Sequence, residues 1–161
     1  MSMGTDNCDV CISVKAVDAE KTMAIFNDAG AYVTSKFVDR DTPGIVIISV
    51  PDVPNMAQAE RKALLDAGIV CSGNHTNGDN YCGQEFAIID GTQYSVLSPD
   101  HVGPCLMINN NADPDEDARA SGRDYFAALD RVIDDFAKYS SQYGGDTQQL
   151  EDTDGSLATD E

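Results

Sequence analysis

A run of seven residues, Gly-Ile-Val-Ile-Ile-Ser-Val at 44–50, constrains this chain more than any other stretch. Five of its last six residues are apolar, and they do not alternate with polar ones. Pro43 and Pro51 bracket the run with turn chemistry, which leaves it too short for a helix. A short unbroken apolar run suits a strand buried on both faces. The run is therefore expected to be the central strand of a sheet, covered by helices.

The flanking segments repeat one cycle. Cys8, Val10, Ile12, Val14 and Ala16 alternate with polar or small residues, the pattern of a half-buried strand. Asp18 is expected to cap a helix carrying Ala19, Met23 and Phe26, with Gly30 at its end. Residues 32–38 are rich in β-branched and aromatic types and read as a second strand. After the 44–50 run, Asn55 is expected to cap a helix carrying Met56, Ala59, Ala63 and Leu64. Gly68 ends it before a strand at Ile69–Cys71. Asp-Ala-Gly closes both helices, at 28–30 and 66–68. Two β-α-β passes in tandem predict an α+β chain with a ferredoxin-like β-α-β-β-α-β core.

Over residues 10–72 this order resembles, in outline, the ACT-type amino-acid-sensing domains. The resemblance implies a small-molecule-sensing regulatory domain. Such families typically hold an effector in a glycine-containing loop after the first strand. Here that loop is Ala16-Val17-Asp18-Ala19, without glycine, so no ligand site is carried over.

Beyond the core, residues 72–83 are polar and turn-rich and read as a long loop. Asp90-Gly91 between two short apolar stretches predicts a β-hairpin. Cys105 to Ile108 reads as one more buried strand. A long amphipathic helix is expected from about Asp115 to Tyr139, with Tyr125, Leu129, Val132, Ile133 and Phe136 on one stripe. The domain is thus placed at 8–143. Residues 1–7 are expected to be flexible, and 144–161 a disordered acidic tail.

Charge narrows the function. The chain has 28 acidic and 10 basic residues, a net charge of −18. Phosphates would be repelled, which argues against direct binding to nucleic acid or anionic membrane. A basic protein partner, a cation or a salty environment fits instead. No apolar run is long enough to span a membrane. The N-terminal ten residues show no basic or apolar signal region, and five cysteines do not make a disulfide scaffold. A reducing cytoplasm is the expected location.

Several motifs could carry chemistry. Cys8-x-x-Cys11 has zinc-like spacing, but on a strand its two thiols point to opposite faces. Cys71-x3-His75 and His101-x3-Cys105 could each set a thiol beside an imidazole. Asp113, Asp115, Asp117 and Asp124 have the spacing of a calcium loop, but Ala118 occupies the position that needs glycine. No P-loop, dinucleotide fingerprint or H-E-x-x-H motif occurs. No catalytic residue, metal or cofactor is expected. The leading expectation is a non-enzymatic binding protein whose acidic surface engages a basic site on a partner protein. Its partner-binding residues would be Asp117, Asp124, Asp130, Asp134 and Asp135, left in water by the long helix. The sharpest version is a nucleic-acid mimic that blocks a DNA-binding complex, as phage counter-defence proteins do. The alternatives are the small-molecule-sensing domain and a small thiol- or metal-dependent enzyme.

Overall fold

A computed structural model describes residues 7–99, 103–104 and 116–143. Their order is β1 (Asn7–Lys15), α1 (Ala16–Asp28), β2 (Ser35–Val38), β3 (Ile45–Pro54), a 3₁₀ turn (Asn55–Ala57), α2 (Gln58–Asp66), β4 (Cys71–His75), β5 (Gln84–Ile89), β6 (Thr92–Leu97) and α3 (Glu116–Tyr143). The chain is α+β, with one six-stranded sheet in the order β2-β3-β1-β4-β5-β6. Every neighbouring pair is antiparallel. The expected strand at 105–108, the tail and residues 1–6 lie outside the described residues. Among the described residues, no helix is long and apolar enough to cross a membrane.

The 44–50 run is not the middle of the sheet. The middle of the six strands is shared by β1 and β4, and β3 is second from one edge, between β2 and β1. Nor is β3 buried evenly on both faces. Val46, Ile48, Val50 and Val53 pack under α1 and α2, whereas Ile47 and Ser49 on the other face are only partly buried. The strand covered on both sides is β5. Phe86 and Ile88 join the core under α1 and α2, and Ala87 and Ile89 join the core under α3. In β3 Ile45 alone reaches the core under α3, so coverage on both faces is fuller at β5, and an apolar run alone does not say which strand that is.

The first core combines these strand residues with Ala19, Phe26, Leu64 and Ile69. The second is smaller and sets Tyr125, Ala128, Val132 and Phe136 of α3 against Ile45, Ala87, Ile89 and Val96. Hence α3 reads as a stripe at i, i+3, i+7 and i+11. Ile133, expected on that stripe, is 53 % exposed on a flank.

Several junctions differ from expectation. Lys15, not Asp18, is the N-cap of α1, because β1 passes straight into the helix; Asp18 falls in the first turn. Asn55 does not cap α2. Asn55, Met56 and Ala57 all adopt left-handed backbone, with φ of 56°, 59° and 56°, and the capping position falls to Ala57 without a side-chain cap. Of the expected second strand, only 35–38 is β, and Tyr32 is exposed. The expected 72–83 loop yields its first four residues to β4. A Cβ on Gly73 would lie 2.6 Å from the Cys11 carbonyl oxygen and 2.9 Å from the Phe86 ring, so this polar strand fits between β1 and β5 through its glycine. The Asp90-Gly91 hairpin forms as read, with φ of 55° and 72° at its two turn residues.

Candidate functional site

The acids of α3 do not form one patch. Asp130 and Asp134 are exposed on the side away from the sheet. Asp124 is exposed on a flank, beside Gln93, Tyr94, Ser95 and Ser121. Asp135 was expected in water and is instead 2.7 Å from the Lys15 ammonium, with its side chain 36 % exposed. Asp117 lies in the first turn of α3, and its side chain is outside the described residues. The helix also carries Arg119, Arg123, Arg131 and Lys138, which offset much of its acid.

Polar links fasten α3 to the sheet. The Tyr125 hydroxyl donates to Glu85 Oε1 at 3.0 Å. Arg131 donates to Asp90 at 3.2 Å and lies over the Tyr94 ring. The Val17 amide donates to the Tyr139 hydroxyl at 3.2 Å. Burial and the nearby Glu85 carboxylate push the Tyr125 phenol well above its ordinary range.

The thiols are poorly placed for nucleophilic chemistry. Cys8 is buried under the helices and donates to the Val53 carbonyl at 3.4 Å, whereas Cys11 lies on the other face, half-buried. Burial raises both thiols above their ordinary value. Cys71 is fully buried, and burial pushes it up to about 12. His75 lies four residues further along the same strand, roughly 13 Å away at the usual rise, so the two do not form a thiol–imidazole pair. His101 and Cys105 lie outside the described residues. Among the described residues, no three His, Cys, Asp or Glu side chains are grouped to hold a metal ion. Asp113 and Asp115 are outside the described residues, but 116–124 is α-helix, which a calcium loop spanning 113–124 cannot be. Residues 16–19, the effector-loop position of the ACT-type resemblance, form the first turn of α1.

Sequence reading missed the pair Glu60-Arg61. The expected apolar face of α2 was Met56, Ala59, Ala63 and Leu64; Ala59 is in fact exposed. The buried face is Ala57, Glu60, Arg61 and Leu64, at i, i+3, i+4 and i+7. Two charged residues thus occupy core-facing helical positions, a signal that was present in the sequence. Arg61 is 6 % exposed. Its Nη1 donates to Gln84 Oε1 at 3.1 Å, and its guanidinium lies 5.1 Å from the Phe86 ring centre. Burial lowers its pKa. Glu60 is 4 % exposed and lines a cavity of about 600 Å³ together with Ala29, Pro54, Asn55, Met56, Asn80 and Tyr81. Left-handed Asn55 and Met56 form one wall, and non-glycine residues in that region cost roughly 1 kcal/mol each.

Compared with known family models, curated proteins and solved structures, the chain matches none.

Proposed function

We propose that this chain is a non-enzymatic binding protein whose acidic surface engages a basic site on a partner protein. The observation that carries the reading is the net charge of −18, displayed in part by Asp124, Asp130 and Asp134 on exposed parts of a fastened helix. Carboxylates carried on an anchored helix lose little backbone freedom on binding, and the net negative charge steers a cationic partner. The buried, high-titrating thiols support binding over thiol catalysis. Free cysteines also fit the cytoplasm as the location. In the sharpest form, the carboxylates imitate phosphates and block a nucleic-acid-binding complex. The order β2-β3-β1-β4, with α1 and α2 on one face, supports the ferredoxin-like reading of the core. A second reading, a small-molecule-sensing regulatory domain of ACT-like topology, is favoured by the cavity beside Glu60.

The test is a triple substitution, Asp124, Asp130 and Asp134 to Asn, against a control with Asp9, Asp39 and Asp41 to Asn. Both remove the same charge. Association with a basic protein captured at low salt is then timed over a range of salt concentrations. The helix variant should bind more slowly and with a shallower salt dependence than the control. Equal behaviour of the two variants would reduce the acid to bulk charge. Competition by duplex DNA for the partner tests the mimic form.

A further inference from the structure

We propose that the cavity beside Glu60 binds a small organic cation, an alkylammonium or guanidinium group on an aliphatic stem. It opens at the surface between the C-terminal end of α1 and the first turn of α2, away from α3, so it goes beyond the acidic-helix reading above. Glu60 is 96 % buried and reaches the wall of the cavity. Among the described residues it makes no hydrogen bond and no ion pair. A glutamate in the first turn of a helix ordinarily bonds back to the cap, but α2 is entered through left-handed Ala57 and that bond is not made. Its carboxylate oxygens are not sealed off inside the protein, so a cation that entered the cavity would meet an unpaired negative charge on a largely buried stem.

Arg61 does not meet that need. Its guanidinium is committed to Gln84 and to the Phe86 ring, and it forms no ion pair with Glu60. The rest of the lining suits a cation with a stem. Pro54, Met56, Ala29 and Ala59 offer apolar surface, and the side-chain oxygens of Asn55 and Gln58 can accept from an ammonium. The exposed Asp28 and Asp79 adjoin the lining residues Ala29 and Asn80 and bias the mouth toward positive charge. The cavity has room for more than one amino group, so a diamine fits as well as a single lysine side chain.

The experiment is amide-resolved NMR of the full chain, titrated with 1,5-diaminopentane, with neutral n-pentanol and with calcium chloride. The diamine should shift the amides of Gln58, Ala59, Glu60 and Asn80, and pentanol should not. Glu60→Gln keeps the shape and removes the charge; it should retain the fold, since the side chain makes no hydrogen bond within the described residues, and weaken the diamine at least about tenfold. The variant with Asp124, Asp130 and Asp134 changed to Asn should bind the diamine as the parent does, which separates this site from the acidic helix. A parallel arm uses acetyl-Gly-Lys-Gly-amide against its glutamine analogue. Tighter binding of the lysine peptide than of the diamine assigns the site to a protein side chain, and the reverse assigns it to a free amine. Either outcome supports the site. Shifts that appear on α3 instead, survive Glu60→Gln unchanged, or follow calcium and not the diamine would overturn it.

Discussion

The face of the sheet under α1 and α2 and the face under α3 are closed by different forces. On the first, alternating residues of β1, β3 and β4 meet two short helices in a core that is largely aliphatic. On the second, four sheet residues meet one long helix, and hydrogen bonds and ion pairs at Glu85, Asp90, Lys15 and Val17 complete the attachment. Apolar burial scales with area and is not screened by salt, whereas exposed ion pairs are weak and screened. The first face should therefore set global stability, and the second should set how firmly the acidic helix is held.

The largest expected effect is at the first face. Phe26 is fully buried there, and Phe26→Ala should cost about 3–5 kcal/mol. Hydrogen exchange should then quicken across the whole sheet. Exchange that quickened in α1 alone would show the face to be less cooperative than described.

Alkali attacks both faces, in sequence. Cys71 has its ordinary value of 9.0 when unfolded and about 12 in the fold. The unfolded chain releases that proton first, so the stability is fully present below about pH 9. It is lost at up to about 1.4 kcal/mol per pH unit as pH rises toward 12. Tyr125 acts in the same direction from its ordinary value of 10.0, because its phenol is raised beside Glu85. Urea midpoints measured from pH 8 to 11 should fall; Cys71→Ala should delay the fall from its start, and Tyr125→Phe only in the upper part. A flat profile in the parent would contradict the burial of both groups.

The smallest expected effect sharpens the contrast. Asp135→Asn removes the link to Lys15, a partly buried pair worth about 0.5 kcal/mol. The global melting temperature should barely move. Exchange near the C-terminal end of α3 should quicken at low salt, and the difference from the parent should shrink as salt rises. An effect comparable to that of Phe26→Ala would mean that α3 is a structural keystone and not an attached helix.

The first face was the more legible in sequence. Cys8 to Val14 alternate because one side of β1 is apolar and the other is not, and that pattern survives folding unchanged. The Asp90-Gly91 turn was legible for a local reason, since both residues tolerate positive φ. The 44–50 run was misread because β-branched residues favour strand without saying which faces are covered. Coverage depends on where α3 lies, and no local pattern encodes that. The run Ser72-Gly-Asn-His75 was missed because polar residues at an interior strand look like loop; the close approach that makes Gly73 useful appears only once Cys11 and Phe86 are beside it. Glu60 was not legible because charged residues ordinarily occupy the outer face of a helix, although its spacing from Ala57 and Leu64 places it on the buried one.

The interior place of β1, between two strands made after it, has a consequence during synthesis. This strand precedes both of its partners, yet its hydrogen bonds are complete only when residues 45–54 and then 71–75 have been made. Until then Val10, Ile12 and Val14 belong to a strand with open edges, which another chain can pair with. The β5–β6 hairpin closes across two residues and has no such delay. A nascent chain from which residues 45–54 have emerged and residues 71–75 have not holds β1 paired on one side only. Slow translation lengthens the time for which that edge of β1 stays open to another chain.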